Sequence, residues 1–318
     1  MKHSTLSTAA LLFMTTLVAA LVPTPAFAQL DLAGTWANRL HEDWTDRMPG
    51  PDVVDYLGLP LNDQGRARGL SYSAAQLSMP ERQCMYYQPF YLNMGPQSFK
   101  MWSESEPVTG RLVAWKISGA VDRGGRTIWM DGRPHPSDNA LHTFGGFSTG
   151  VWQGNTLTVR TTHMKAGYVR RNGVPSSPNT VLTEHFIRHG DVMTVISVVE
   201  DPAYLSEHYV LSRNWQLDAV TPVSPYPRQC DPEVEVPGIG SAGTVPHYLP
   251  GQNPFTTEVG DLYHLPLDAV LGGPETLYPE YRKKLKDSYS LPGTCSRYCC
   301  GWAGNNLPSG LKCTIWTM

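Results

Sequence analysis

Three polar side chains fall on apolar faces when the segments that carry them are read as β-strands. Alternation over residues 156–163 puts Leu157, Val159, Thr161 and His163 on one side and Thr156, Thr158, Arg160 and Thr162 on the other. By the same rule Glu184 shares a face with Leu182 and Phe186, and Glu207 with Leu205, Tyr209 and Leu211. A carboxylate enclosed alone among apolar groups is costly, so each must be paired, neutralised or opened onto water. One reading makes His163 a general acid or base, with Glu184 or Glu207 as its orienting or proton-transfer partner. Tyr168, Arg133 or Lys165 would then stabilise developing negative charge. The other reading pairs the carboxylates with arginines such as Arg170, Arg171 or Arg213 and leaves His163 as a core-edge histidine bonded to a carbonyl.

A second group lies on Asp131-Gly-Arg-Pro-His135 and its continuation to His142. Gly132 permits a tight reversal and Pro134 stiffens the approach. Arg133 and His135 are therefore either held at a barrel mouth as ligand contacts, or part of a structural clamp in which Asp131 pairs with Arg133. Lys165, Tyr168, Arg170 and Arg171 follow His163 closely and form a cluster suited to a carboxylate or polar oxygen of a small ligand. Trp129, Trp152, Phe186 and Tyr209 would line the apolar wall of such a site. His185 and His189 would stand roughly 13 Å apart on a strand, too far to share a cation. A His135, His142 and His163 set gathered in space is the remaining metal option, against which the favoured chemistry needs neither metal nor cofactor.

The elements that must position these groups have strand period. Such runs occupy residues 111–117, 126–131, 156–162, 181–188, 192–199 and 205–211, and residues 31–36 open a first strand. Gly154-Asn155 and Gly190-Asp191 suit tight reversals between antiparallel neighbours. The gaps lack the helical pattern that a parallel crossover needs. Residues 84–91 are dense in aromatics, and residues 279–285 are the one helical stretch. The fold expected is all-β: an antiparallel β-barrel or strongly curved β-sandwich with long irregular loops. Gly34-Thr-Trp36 has the look of the element that closes a lipocalin-like barrel. Residues 146–150 and 238–243 match GxSxG and GxGxxG by letter only, because neither leads from a strand into a helix.

The chain divides into a signal peptide at 1–28, a barrel core at 29–230, and a Pro/Gly-rich arm with a disulfide-stapled cap at 231–318. Lys2, the apolar run over residues 6–21 and Ala26-Phe-Ala28 predict cleavage before Gln29, hence a periplasmic or secreted protein without stable membrane insertion. Cys84, Cys230, Cys295, Cys299, Cys300 and Cys313 are then expected to form three disulfides, with Cys84 bonded to Cys230 and the other four bonded among themselves. Lys plus Arg number 25 against 28 Asp plus Glu, which argues against a nucleic-acid groove.

Residues 128–136 (Ile-Trp-Met-Asp-Gly-Arg-Pro-His-Pro), 146–163 and 201–207 together resemble a family of exported bacterial proteins of unassigned function. Those proteins carry I-x-x-D-G-R-x-H-P, G-x-W-x-G-D-T-L-x-V-x-T and D-P-x-x-x-[ST] elements; Asn155 stands here where the family has Asp. The resemblance spans most of residues 31–230 and implies a β-rich fold and export, with no particular reaction. The function expected is an exported enzyme acting on a small, partly apolar organic molecule by acid–base chemistry, as a lyase, isomerase or hydrolase. The alternative is a noncatalytic lipocalin-like protein that binds a small hydrophobic ligand.

Overall fold

A computed structural model describes residues 30–39, 56, 58–71, 87–94, 98–119, 125–169, 173–220, 260–261 and 264–285, with isolated positions at 42, 84, 249, 252 and 257. The strands are β1 Gly34–Asn38, β2 Phe99–Ser105, β3 Leu112–Gly119, β4 Arg126–Trp129, β5 Phe147–Gln153, β6 Thr156–Thr162, β7 Gly167–Tyr168, β8 Pro175–Ser176, β9 Val181–His189, β10 Val192–Glu200 and β11 Tyr209–Leu217. Nine of them close into a barrel in the order β1-β11-β10-β9-β6-β5-β4-β3-β2, while β7 and β8 form a separate ribbon. Gly154 and Gly190 take φ of +61° and +59° in the two expected hairpins, a backbone region that suits glycine.

The barrel departs from the expected all-antiparallel plan at one seam, where β4 and β5 run parallel. A parallel pair cannot be joined by a tight turn, so residues 130–146 return the chain to the other end of the seam. That return carries Asp131, Arg133, His135 and His142. The strand count also differs from the eight of a lipocalin. Trp36 of the Gly-x-Trp element is nevertheless wholly buried, donating its indole N–H to the Leu32 carbonyl at 3.0 Å.

Side chains fill the interior. Leu157, Val159, Phe186, Met193, Val195 and Trp215 join Trp36, Phe99, Met101, Trp115, Ile117 and Ile128 in one apolar cluster. Leu182, Val199 and Leu211 belong to a second, which is completed by Tyr56, Leu59, Leu61, Tyr87, Phe90, Tyr91 and residues of the 164–174 excursion. Between the clusters runs a belt of inward polar positions on consecutive barrel strands: Arg213, Ser197, Glu184, Thr161, Ser148 and Arg126, all buried.

This packing corrects the expected apolar wall. Phe186 is locked in the first cluster and Trp152 packs on its edge, while Tyr209 packs against the second. Trp129 alternates outward from Ile128 and carries the Arg133 guanidinium 3.5 Å above its ring. The four aromatic residues therefore do not form one common wall. Cys84 is disulfide-bonded. Residues 1–29, Arg170, Arg171, the 238–243 glycines and the other five cysteines lie outside the described residues.

Candidate functional site

Glu184 faces inward as alternation predicts, at 1% exposure, but its partner is one that the sequence did not suggest. Arg126, 3% exposed, forms an ion pair with Glu184 through Nη2. The same guanidinium donates from Nη2 to Thr161 Oγ1 at 2.6 Å and from Nε to Ser148 Oγ at 3.0 Å. Nη1 of Arg126 carries no hydrogen bond. Ser148 is thus a buried strand residue within this belt, held 2.9 Å from Thr161 Oγ1. The pair meets the charge of Glu184 inside the core, where an unpaired carboxylate would be costly.

Glu207 is a second correction. It is exposed, because the strand begins only at Tyr209 and Leu205 sits in an isolated bridge with Leu61. Period-2 alternation does not hold across the turn that separates them. His163 is buried, yet it takes φ of +58° one residue past β6, so its side chain leaves the interior alternation. That left-handed conformation is tolerated by histidine better than by bulkier or branched residues. Neither glutamate joins His163 in a shared site.

The three predicted histidines do gather, along the outer side of β5 and β6. His135 Nε2 lies 2.8 Å from Thr149 Oγ1 and its Nδ1 lies 2.8 Å from Thr162 Oγ1. Thr162 Oγ1 also lies 2.7 Å from His163 Nδ1, and His163 Nε2 lies 2.9 Å from the Ser137 carbonyl. The carbonyl can only accept, so His163 Nε2 donates. With both rings neutral, the remaining protons follow in one direction: Thr162 donates to His163, His135 Nδ1 to Thr162, and Thr149 to His135 Nε2. His142 donates from Nδ1 to the Met164 carbonyl at 2.8 Å, with its ring centroid 5.2 Å from that of His163. Burial, then Arg160, then His163 hold the pKa of His135 below the ordinary histidine value. Among the described residues, no group of three or more His, Cys, Asp or Glu is placed to hold a metal ion.

Arg133 is clamped rather than available. It makes an ion pair and hydrogen bonds with Asp131, whose carboxyl is held at about 2 chiefly by that bond. Lys165 is exposed, with Nζ 5.0 Å from the Phe144 ring centroid.

A concave site lies at the rim. A cleft of about 210 Å³ is lined by Arg68, Tyr87, Gln88, Phe144, Ala166, Gly167, Tyr168, Pro175, Ser176 and Tyr204. Its construction starts from two local signals. Asn62 caps helix Asp63–Leu70, accepting from the Gly65 N–H at 2.9 Å, and donates through Nδ2 to the Ala203 carbonyl at 3.1 Å. Asp201, 2% exposed, accepts from the Ser177 N–H, the Ala203 N–H and the hydroxyls of Ser177 and Thr180. These bonds fix Arg68, the β7–β8 ribbon and the turn bearing Tyr204 around one opening. Gln88, buried at 2%, donates to the Lys165 carbonyl at 2.8 Å and to Ser176 Oγ at 3.2 Å. A Cβ on Gly167 would lie 1.9 Å from the Gln88 amide nitrogen, so this approach needs glycine.

Of the predicted site residues, only Tyr168 lines the cleft. Burial raises its pKa, with Arg68 pulling the other way and Tyr204 adding to the rise. Arg68, Gln88, Phe144, Ser176 and Tyr204 were not singled out as site residues. The aromatic patch at 84–91 and the Asp-Pro element at 201 carried the available signals.

No family model, curated protein or solved structure matches the chain. Among the described residues no helix is long and apolar enough to cross a membrane, a statement that does not extend to strands.

Proposed function

We propose that the protein binds a small, partly apolar organic molecule in the rim cleft, and that the barrel interior serves as scaffold. One observation carries this reading: Arg68, Tyr168, Tyr204, Ser176 and Gln88 converge with Phe144 and Tyr87 on one opening. Convergent polar groups set in apolar walls are the usual form of a small-molecule site. The volume lies below the roughly 300–1,000 Å³ of drug-sized pockets, which favours a compact ligand.

A catalytic reading of the same cleft rests on Tyr168. A phenol that burial keeps protonated can serve as general acid in elimination, isomerisation or hydrolysis. The experiment is calorimetric titration of the full chain with a panel of aromatic, terpenoid and sugar-derived compounds, followed by product analysis of each bound compound. Binding that Tyr204→Phe and Gly167→Ala weaken, with the compound recovered unchanged, supports a binding protein. Turnover lost in Tyr168→Phe supports an enzyme, and binding indifferent to all three changes removes the cleft from consideration.

Export to the periplasm or medium, with removal of residues 1–28 and three disulfides, belongs to the same proposal. Its support is the targeting pattern and the resemblance to exported bacterial proteins. Intact mass of the exported protein, alkylated with and without reduction, tests it: a start at Gln29 and no free thiol is the expected result.

A further inference from the structure

The polar complement of the cleft is lopsided. The Arg68 side chain makes no ion pair or hydrogen bond among the described residues, and it is exposed at the cleft edge. Ser176 Oγ accepts from Gln88, so its own proton is free to donate. Among the described residues the Tyr204 hydroxyl makes no hydrogen bond, and Tyr168 is a phenol whose pKa burial raises further. Gln88 commits its amide nitrogen to Lys165 and Ser176, which leaves Oε1 as an acceptor. Among the described residues, no Asp or Glu lines the cleft. The described lining residues therefore offer one cation, several hydroxyl groups and a single side-chain amide acceptor.

The walls are aromatic. Tyr87, Phe144, Tyr168 and Tyr204 contribute rings, and Tyr87 is held in place by stacking on Tyr91 at 3.8 Å between centroids and 12° between planes. Flat apolar walls favour a flat apolar body. A guanidinium fork matches the two oxygens of a carboxylate. One unpaired cation balances one negative charge, which suits a monocarboxylate better than a phosphate dianion.

We infer that the cleft takes an aromatic monocarboxylate, with the carboxylate at Arg68 and a ring-borne hydroxyl donating to Gln88 Oε1. This rests on the reading of the rim cleft as the ligand site. Charge recognition by Arg68 and body recognition by the aromatic wall are separable, so each has its own control.

The test is calorimetric titration of the full chain with trans-4-hydroxycinnamate, its neutral primary amide, and inorganic phosphate. The carboxylate is expected to bind at least tenfold more tightly than the amide, and phosphate alone not to bind. Arg68→Met is expected to bring the carboxylate down to the affinity of the amide while leaving the thermal midpoint unchanged. Equal affinity for carboxylate and amide, or an Arg68→Met variant with undiminished affinity, overturns the carboxylate assignment. If the amide still binds and Gly167→Ala weakens it, the cleft reading survives that failure. If neither compound binds and the wider panel also fails, both fall together.

Discussion

Two arginines set among hydroxyl groups divide the molecule. Arg126 is enclosed in the barrel belt, with Glu184, Ser148 and Thr161 around its guanidinium. Arg68 stands at the rim among phenols and a serine, with no carboxylate among the described residues that line the cleft. An enclosed charge must find its counter-charge within the chain, because none can be borrowed from solvent. A rim charge is under no such demand, because water solvates it, and so it stays available to a ligand's counter-charge. Inward polarity in a strand pattern therefore marks how a core is balanced, and function is better sought where balance is incomplete.

The sharpest way to break this contrast is at the belt. Arg126→Met should destabilise the protein by about 3–5 kcal/mol in urea unfolding, because it strands a buried carboxylate. Adding Glu184→Leu should recover much of that loss, and a double variant no more stable than the single would mean that the belt does not work as a charge pair. At the anchor of the rim, Asp201→Asn weakens four hydrogen bonds to a carboxylate. The expected cost is about 1.5–3 kcal/mol, with loss of ligand affinity in the same titration. Asn62→Ala should cost about 1 kcal/mol through the lost helix cap and also loosen the turn that presents Tyr204. Arg68→Met, by contrast, should stay within about 0.5 kcal/mol of wild-type stability. A larger loss would make Arg68 a structural residue.

The smallest effect is expected at His135. Its pKa in the folded chain is below the ordinary value, so the unfolded chain takes up the proton first as pH falls. The stabilising contribution is complete above the ordinary histidine pKa, about 6.5, and declines as pH drops through that value and toward the depressed one. The thermal midpoint of wild type should therefore fall more steeply from about pH 7.5 to 5 than that of His135→Gln. The groups around the ring are Arg160, His163, Thr149, Thr162 and Phe147. Parallel slopes for the two proteins would remove His135 as the titrating group.

Local pattern revealed some of this and distance in sequence concealed the rest. The boundaries of Thr156–Thr162 and the inward direction of Glu184 were legible because alternation is a property of neighbours. Arg126 as the partner was not, since β4 meets β9 only through the order of a closed barrel. Phe99 and Met101 show the same alternation in β2, but the turn-rich setting of residues 31–110 masked it. Alternation also misled where strands ended: Thr162 closes β6 just before His163, and Tyr209 opens β11 just after Glu207. The cleft was illegible because its residues come from six segments joined by side-chain bonds to backbone groups far away in sequence.

Closure of the barrel through β1 also sets an order of assembly. β9, β10 and β11 are consecutive neighbours with local registers such as Val192↔His189 and Val192↔Gln216, so they can pair as soon as those residues exist. β1 must join Trp36 to Phe99 on one side and to Leu217 on the other. The second of these contacts closes a loop that spans almost the whole barrel sequence, and such non-local pairing forms slowly. A chain made from its N-terminus therefore holds its first strand unpaired along one edge until its last has formed.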